Sequence, residues 1–279
     1  MVLVSVNGQF DHQVISVLDR GLLFGESVYE VIPVHHQKPF QLDAHLERLA
    51  KGFLEVCGTP APIHSIHRWI NEYVEKMQGE VFHSIYVQLT TGTMAMRHHI
   101  PDKTSVTCII HQTFSPPVSI AEYQHGFRAI TVADTRSQHA RVKTIQLALN
   151  THALKLADAK GYDDAVFIKD DCLVEAASSN VFAVINNQLV TPPLGNIVPG
   201  ITRKLILEIA KQEQIPHVER HIHVNELAHT QEIFLSSSIK LLKPLKEIEG
   251  LFRTKPHFPM WRRLFHAHMQ RINEKSLCT

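Results

Sequence analysis

A lysine in an apolar setting is the first residue of this sequence that could carry chemistry. Lys143 lies in the segment ARVKTIQLALN (140–150), at the end of a candidate strand. A lysine in such a position either extends its amine to solvent or is buried for a purpose. In the second case the amine loses its proton more easily and can form a Schiff base with a carbonyl compound.

A carboxylate and a helix start lie close together in the stretch 173–203. Glu175 ends an apolar run that begins at Ala165 and is interrupted by a Lys-Asp-Asp turn. Glu175 is either an ordinary strand-end carboxylate or a buried one, and a buried carboxylate needs a cation as partner. Thr202 stands at the start of a helical pattern and is either a simple N-cap or part of an anion site, since the free N–H groups of a helix start bind anions.

Three further groups could bind anions. Arg48 lies beside the apolar stripe of a predicted helix, a run of three serines follows the segment EIFL, and Arg97-His98-His99 follows a predicted strand. Their simpler readings are a solvated arginine, a turn and a polar loop, whereas their functional readings are phosphate donors and a carboxylate clamp. Taken together, an amine, a carboxylate and several phosphate donors form a complete set of partners for pyridoxal 5′-phosphate (PLP).

The composition describes an ordinary globular chain. It has 279 residues, 44% hydrophobic and 20% charged, and a formal net charge of +1, which does not favour binding to nucleic acid or to a membrane surface. No apolar run has membrane-spanning length, the N-terminus does not resemble a signal peptide, and the four cysteines are scattered, so a cytoplasmic location is expected. His221 and His223 could share a strand face, but no metal site is expected because no cysteine or helix-borne histidine pair supports one.

The elements that must position these residues divide into two α+β lobes. The first is predicted to contain an Asn7-Gly8 hairpin, strands at 28–34, 84–91 and 106–113, and helices at 42–57 and 63–77. The second is predicted to contain a strand at 128–135, short antiparallel strands between 165 and 190, strands at 232–235 and 245–248, and helices at 149–160, after 201 and at 260–272. The segment FSPPVS gives the predicted boundary: a smaller domain at 1–113, a linker at 114–119 and a larger cofactor-binding domain at 120–279.

The sequence also resembles a known family, the fold-type IV PLP-dependent aminotransferases, and is most similar to their D-amino acid aminotransferase branch. The resemblance covers nearly the full chain and is carried by the segments RGLLFGESVYEVI (20–32), HLERL (45–49), LTTGTMAMRHHIP (89–101), RVKTIQ (141–146), LVEAASSNVF (173–182), VPGITRK (198–204) and LSSSIKLLKPL (235–245). VPGITR and VEAASSN mark the superfamily. VYEV together with Arg97-His98-His99 marks the D-amino acid branch.

This resemblance assigns a role to each candidate residue. Lys143 would form the Schiff base and Glu175 would pair with the pyridine nitrogen. The phosphate would be held by side chains or backbone N–H groups of Arg48, Ile201, Thr202, Ser237 and Ser238. The substrate α-carboxylate would be bound by Tyr29, Arg97 and His99, the last two contributed by the second subunit of a homodimer.

The implied reaction is transamination between a D-amino acid such as D-alanine and a 2-oxo acid such as 2-oxoglutarate, which gives pyruvate and D-glutamate. Three alternatives remain open from the sequence: an aminodeoxychorismate lyase, a branched-chain L-amino acid aminotransferase, and a catalytically inactive relative. The Arg97 and His99 clamp with Tyr29 favours transamination of D-amino acids. The presence of both Lys143 and Glu175 disfavours an inactive protein.

Overall fold

The chain divides into two compact units, one formed by residues 1–117, 142–146 and 275–279 and the other by residues 118–141 and 147–274. A computed structural model describes residues 3–10, 14–77, 83–100, 105–114, 118–137 and 139–277. Of the predicted linker 114–119, residues 115–117 therefore lie outside the described residues. No helix in the described part of the chain is both long and apolar enough to cross a membrane.

The first unit is built on an antiparallel sheet with strand order β1-β5-β4-β2-β3. Its strands are β1 (Val4–Val6), β2 (Ser27–His35), β3 (Lys38–Pro39), β4 (His83–Thr90) and β5 (Thr107–Phe114). Its helices are α1 (Arg20–Phe24), α2 (Leu42–Cys57) and α3 (Ile63–Lys76). The apolar stripes of α2 and α3 and one face of the sheet form a single buried core.

Strand β2 shows how alternation along a strand separates two kinds of side chain. Val28 and Ile32 enter the core with α2, and Glu30 lies between them on the same side, where it contacts α2. Tyr29 points to the opposite side of β2, where its ring stacks on that of Tyr86 at 5.3 Å. The strand therefore presents one carboxylate towards the helices and one aromatic surface away from them.

The segment Val142–Gln146 belongs to the first unit, although the chain enters the second unit on both sides of it. Val142 packs into the core of the first unit. The Tyr29 N–H donates to the Lys143 carbonyl at 3.0 Å, and the Ile145 N–H donates to the Ser27 carbonyl at 3.3 Å. The backbone on both sides of Lys143 is thus hydrogen-bonded to the beginning of β2.

The second unit contains a mixed sheet of ten strands within the described residues, ordered β11-β10-β9-β13-β14-β6-β7-β8-β12, with β15 beside β14. The strands are β6 (Phe127–Ala133), β7 (Asp164–Lys169), β8 (Cys172–Ala176), β9 (Asn180–Ile185), β10 (Gln188–Thr191), β11 (His217–Glu219), β12 (Ile222–His223), β13 (Glu232–Ser237), β14 (Leu241–Ile248) and β15 (Phe252–Arg253). The helices are α4 (Ile120–His125), α5 (Ala148–Ala159), α6 (Ile201–Gln212) and α7 (Pro259–Leu277), and a 3₁₀ helix covers Val224–His229.

The predicted two-lobed α+β fold is confirmed. The predicted helices and strands all occur, with ends that differ by a few residues, and the Asn7-Gly8 turn has the left-handed φ values of 53° and 80° that a two-residue hairpin turn requires. One local expectation is wrong. His221 and His223 do not share a strand face, because β12 contains only Ile222–His223 and the His223 ring accepts a hydrogen bond from the Asn225 N–H, which caps the 3₁₀ helix.

Candidate active site

Lys143 is half-buried in the first unit, above an aromatic ring. Its ammonium nitrogen lies 4.1 Å from the centre of the Tyr29 ring. The Tyr29 N–H also donates to the Lys143 carbonyl, so the two residues are joined through both backbone and side chain. A cation over the face of a tyrosine ring is held there by electrostatic attraction.

Arg48 lies beside a buried carboxylate that the sequence interpretation did not assign. Glu30 is fully buried, and the Arg48 guanidinium donates to both of its oxygens, from Nε and Nη2, at 2.7 Å each. His45 Nδ1 lies 2.7 Å from Glu30 Oε2. Burial by itself would raise the pKa of Glu30, but the charge and hydrogen bonds of Arg48 and His45 lower it to about 2. Burial also lowers the pKa of His45, although its contact with Glu30 acts in the opposite direction.

Glu175 lies in the second unit, within a network of charged groups. It is 3% exposed, and Arg136 Nη1 donates to its Oε1 at 2.7 Å. The same guanidinium donates from Nε and Nη2 to the two oxygens of Asp134 at 2.9 Å and stacks over Phe167 at 4.1 Å. Burial raises the pKa of Glu175 to about 7, even though Arg136 and the Val198 N–H act in the opposite direction. The carboxyl group is therefore buried with less positive charge than it needs for full ionisation near neutral pH.

Hydrogen bonds join Glu175 to the start of α6. Oε2 accepts from the Val198 N–H at 3.2 Å and from Asn180 Nδ2 at 3.3 Å, and Asn180 also donates to the Val198 carbonyl at 2.9 Å. Gly200, the N-cap of α6, packs so closely that a Cβ on it would lie 2.0 Å from Asn180 Oδ1. The carboxylate and the helix start that are neighbours in the sequence are thus one connected structure.

The first turn of α6 offers backbone donors for an anion. The helix begins at Ile201 and has a glycine as its N-cap, so no N-cap side chain covers its first N–H groups. These groups have no acceptor within the helix, and the helix dipole adds positive potential there. Thr202 is buried in this turn, with an exposed fraction of 5%.

The serine run lies at the end of β13. Ser237 is the last residue of the strand, and its Oγ accepts a hydrogen bond from the Lys240 N–H at 3.1 Å. Ser238 is half-buried in the turn that follows. Ser236 points into the protein, where its buried hydroxyl has no hydrogen-bond partner among the described residues.

Arg97 and His99 lie in an exposed loop of the first unit, and both contact one aromatic ring. The Arg97 guanidinium is 4.8 Å from the centre of the Phe24 ring, and the His99 ring is 5.3 Å from it. The side chain of Tyr29 lies elsewhere in this unit, against Tyr86 and Lys143. Within the first unit, the predicted clamp residues therefore form two groups.

Sequence reasoning missed the residues that hold the candidate residues in place. Arg136, which pairs with Glu175, was not recognised, although it closes an Asp-x-Arg motif directly after β6. Glu30 was not recognised as a buried residue either. It lies two positions from both Val28 and Ile32, and since alternate residues of a strand share one face, their burial predicts that Glu30 is buried too. An acidic residue on the core side of a strand needs a cation as partner, and this was the available signal.

The donor set fits PLP when it is judged by its chemistry. Lys143 supplies an amine beside an aromatic ring, and Glu175 is a buried carboxyl group that an additional cation, such as a protonated pyridine nitrogen, would stabilise. The start of α6 supplies uncovered N–H groups for a phosphate. Each part of the cofactor therefore has a chemically matching partner: the amine of Lys143 belongs to the first unit, and Glu175 and the start of α6 belong to the second.

Comparison with known proteins agrees with this fit. The family model described as amino-transferase class IV matches residues 27–248. The chain is 31% identical over 260 residues to the D-alanine aminotransferase of Staphylococcus epidermidis, and the match covers 90% of each chain.

Two solved structures show the same fold. A hypothetical aminotransferase from Mycobacterium tuberculosis in its PLP-bound form is 20% identical, with a TM-score of 0.81 and coverage of 96% of this chain and 98% of that one. The 4-amino-4-deoxychorismate lyase of Pseudomonas aeruginosa is 23% identical, with a TM-score of 0.85 and coverage of 97% and 100%. The family match extends over residues 27–248, most of the sequence, and includes Lys143 and Glu175 among the candidate residues for cofactor binding. This chain therefore belongs to the class IV aminotransferases, a family of PLP-dependent enzymes.

Proposed function

We propose that this enzyme transfers the amino group of a D-amino acid, such as D-alanine, to a 2-oxo acid, such as 2-oxoglutarate, giving pyruvate and D-glutamate. Membership of the family supports transamination. The observation that carries the choice of D-amino acids is the pair Arg97 and His99, which lie in one loop with their side chains exposed around Phe24. An arginine and an imidazole placed together suit a carboxylate. The Staphylococcus epidermidis relative carries the name of the same activity.

In this proposal each residue has one task. Lys143 would hold PLP covalently, and its freed Nζ would then accept the proton from the substrate Cα and return it. When bound, PLP supplies an electron sink for the Cα carbanion and carries the amino group between substrates. Glu175, held by Arg136, would keep the pyridine nitrogen protonated.

The remaining residues bind and orient. Arg48, the first N–H groups of α6 at Ile201 and Thr202, and the serines Ser237 and Ser238 would hold the phosphate. Tyr29, Arg97 and His99 would hold the substrate α-carboxylate. The position of that carboxylate determines which enantiomer directs its Cα–H towards Lys143.

The central test is a substrate panel with the wild-type protein. D- and L-amino acids are paired with 2-oxoglutarate or pyruvate, and release of 4-aminobenzoate from aminodeoxychorismate is assayed in parallel. The proposal expects D-alanine with 2-oxoglutarate to react and L-leucine, L-isoleucine and L-valine not to react. Turnover confined to the branched-chain L-amino acids, or release of 4-aminobenzoate, would replace it.

A second test concerns Lys143. Lys143→Ala should abolish turnover of D-alanine, and borohydride reduction followed by mass spectrometry should place the cofactor on the Lys143 peptide of the wild type. Lys51→Ala is the control, because Lys51 is exposed and pairs with Glu47 on the same helix turn. Near wild-type turnover in Lys143→Ala would remove the assigned role.

We further propose that the enzyme is a homodimer in which Arg97 and His99 serve the partner's substrate. The exposure of both side chains in the single chain supports this arrangement. Mixing inactive Lys143→Ala subunits with Arg97→Ala subunits should restore activity if the clamp comes from the partner, because a hybrid dimer then contains one intact site. If Arg97 instead serves the site of its own subunit, no hybrid dimer contains an intact site, and the mixture would stay at the level of the Arg97→Ala protein.

A further inference from the structure

We propose that Arg20, together with Glu26, is the positioning element that fixes the carboxylate-binding loop of Arg97 and His99. This inference rests on the proposed function, since it assumes that the loop binds the substrate carboxylate. Neither Arg20 nor Glu26 is part of the set of residues to which a cofactor or substrate role was given. Both lie in the first unit, as does the loop.

Arg20 is a buried arginine whose hydrogen bonds go to the loop backbone. It is 2% exposed. Nη1 donates to the His98 carbonyl at 2.7 Å and Nη2 donates to the His99 carbonyl at 2.8 Å, while Nη1 also lies 2.9 Å from the Met94 sulfur. One guanidinium therefore contacts three residues of the stretch 94–99, from a helix more than 70 positions earlier in the chain.

Glu26 orients the guanidinium from the other side. Its carboxylate accepts from Arg20 Nε at 2.8 Å and from Nη2 at 2.5 Å, and it also accepts from the Thr91 hydroxyl at 2.8 Å. The hydrogen bond from Arg20 is the main reason why the pKa of Glu26 lies below its usual value. A planar guanidinium bound at two points to a carboxylate has a fixed direction, and the remaining N–H bonds then point at the loop.

Phe24 completes the arrangement. Arg20 and Phe24 are four residues apart on α1, so they share one helix face, and the Arg20 guanidinium lies 4.9 Å from the centre of the Phe24 ring. The Arg97 guanidinium and the His99 ring lie 4.8 Å and 5.3 Å from that same ring. Arg20 therefore fixes the backbone of the loop, and Phe24 is the surface against which the two binding side chains rest.

A purely stabilising role is a weaker explanation of these contacts. Burying an ion pair costs desolvation energy, and an apolar pair of similar size is often as stable. Residues 95–100 are exposed, so core packing does not hold this loop. The guanidinium is directed at the carbonyls of His99, one of the two clamp residues, and of His98, which lies between Arg97 and His99. Its contacts restrict the positions of those residues rather than enlarging the core.

The test compares Arg20→Lys and Glu26→Gln with the wild type and with Arg97→Ala. Lysine keeps the charge of Arg20 but cannot reach a carboxylate and two carbonyls at once. Arg20→Lys should raise KM for D-alanine about ten- to a hundred-fold with little change in kcat, since a misplaced binding group costs about this much. Glu26→Gln should show a smaller rise. Arg263→Lys is the matched control, because Arg263 also donates to a carboxylate and a carbonyl, both of Glu213, and should leave KM unchanged.

Two further measurements separate positioning from general damage. In the Arg97→Ala background, Arg20→Lys should raise KM by a smaller factor than in the wild type, because one of the two groups that it positions is already absent. Amide hydrogen exchange at residues 97–100 should become faster in Arg20→Lys than in the wild type, and this readout requires no substrate. A lower melting temperature and lower specific activity at constant KM would indicate structural support only and would overturn the inference, as would unchanged exchange in the loop.

The proposed function can fail separately. If the wild type does not turn over D-alanine, the proposed function fails, whatever the exchange experiment shows. If the wild type reacts and Arg97→Ala raises KM while Arg20→Lys does not, the function stands and the positioning role of Arg20 is excluded.

Discussion

The buried carboxylate of Glu30 allows a quantitative prediction about stability and pH. Glu30 is fully buried, with Arg48 Nε and Nη2 and His45 Nδ1 each 2.7 Å from its oxygens. Its pKa is lowered from 4.5 to about 2, because Arg48 and His45 more than offset the effect of burial. A carboxylate whose pKa is lower in the folded than in the unfolded state stabilises the fold above the unfolded pKa. This stabilisation is lost as the pH falls towards the folded pKa.

The size of the effect follows from the two pKa values. The shift from 4.5 to about 2 corresponds to about 3 kcal/mol of stability, fully present at neutral pH. Between pH 6 and pH 3.5, about 1 kcal/mol of it should be lost, because the unfolded carboxylate takes up a proton in this range and the folded one does not. Glu30→Gln has no titrating group at this position and lacks this component.

The assay is urea unfolding of the wild type and Glu30→Gln at several pH values, with hydrogen exchange in β2 and α2 to locate the change in the first unit. The difference in free energy of unfolding between the two proteins should shrink by about 1 kcal/mol from pH 6 to pH 3.5. Glu47→Gln is the control: its exposed carboxylate on α2 pairs with Lys51, and exposed pairs contribute little. If the difference in free energy of unfolding between the wild type and Glu30→Gln does not change with pH, the reasoning is refuted.

Two further predictions concern the second unit. Arg136→Met should lower kcat with D-alanine at least about ten-fold at neutral pH, because Glu175 loses its cation and becomes harder to ionise. For the same reason, the acid limb of the plot of kcat against pH should move to higher pH. An acid limb at the wild-type position would contradict this role of Arg136. Gly200→Ala should weaken PLP binding in a fluorescence titration, because a Cβ would meet Asn180 Oδ1 at 2.0 Å and displace the start of α6. Gly195→Ala is the control and should bind PLP as the wild type does, because a Cβ there would have nothing within 4 Å. Equal affinities of the two variants for PLP would exclude the proposed anion site at α6.

The elements of this fold follow from local patterns. The apolar positions of α2 recur at helical spacing and end at Gly58, which has the left-handed φ of 66° that the residue after a helix often needs. The alternation in β2 gives the inward face of that strand, and Asn7-Gly8 gives the turn after β1. These features depend on residues within a few positions of one another, so the sequence alone was enough to predict them.

The hydrogen-bond partners of the candidate residues could not be predicted from such local patterns. Arg136 and Glu175 are 39 positions apart, and Arg20 and His99 are 79 apart. A charged residue followed at such distances by a group that could accept its hydrogen bond is common in any sequence, and only the packing of strands and loops brings a particular pair together. The placement of Lys143 is another such case, because Val142–Gln146 leaves the surrounding chain to bond with the first unit.

Arginine–carboxylate pairing recurs at three of the places where this chain carries a proposed binding function. Arg48 pairs with Glu30, Arg136 with Glu175 and Asp134, and Arg20 with Glu26, and in each pair at least one member is almost fully buried. Buried ion pairs add little net stability compared with apolar side chains. Their recurrence is therefore better explained by the fixed orientation that each carboxylate gives to its arginine than by a gain in stability. A guanidinium held at two points by a carboxylate cannot rotate freely, and the group that it contacts is fixed with it. The three pairs serve a proposed phosphate ligand, a proposed partner of the pyridine nitrogen and a proposed carboxylate loop, which are the three places where a transaminase must hold its cofactor and substrate rigidly.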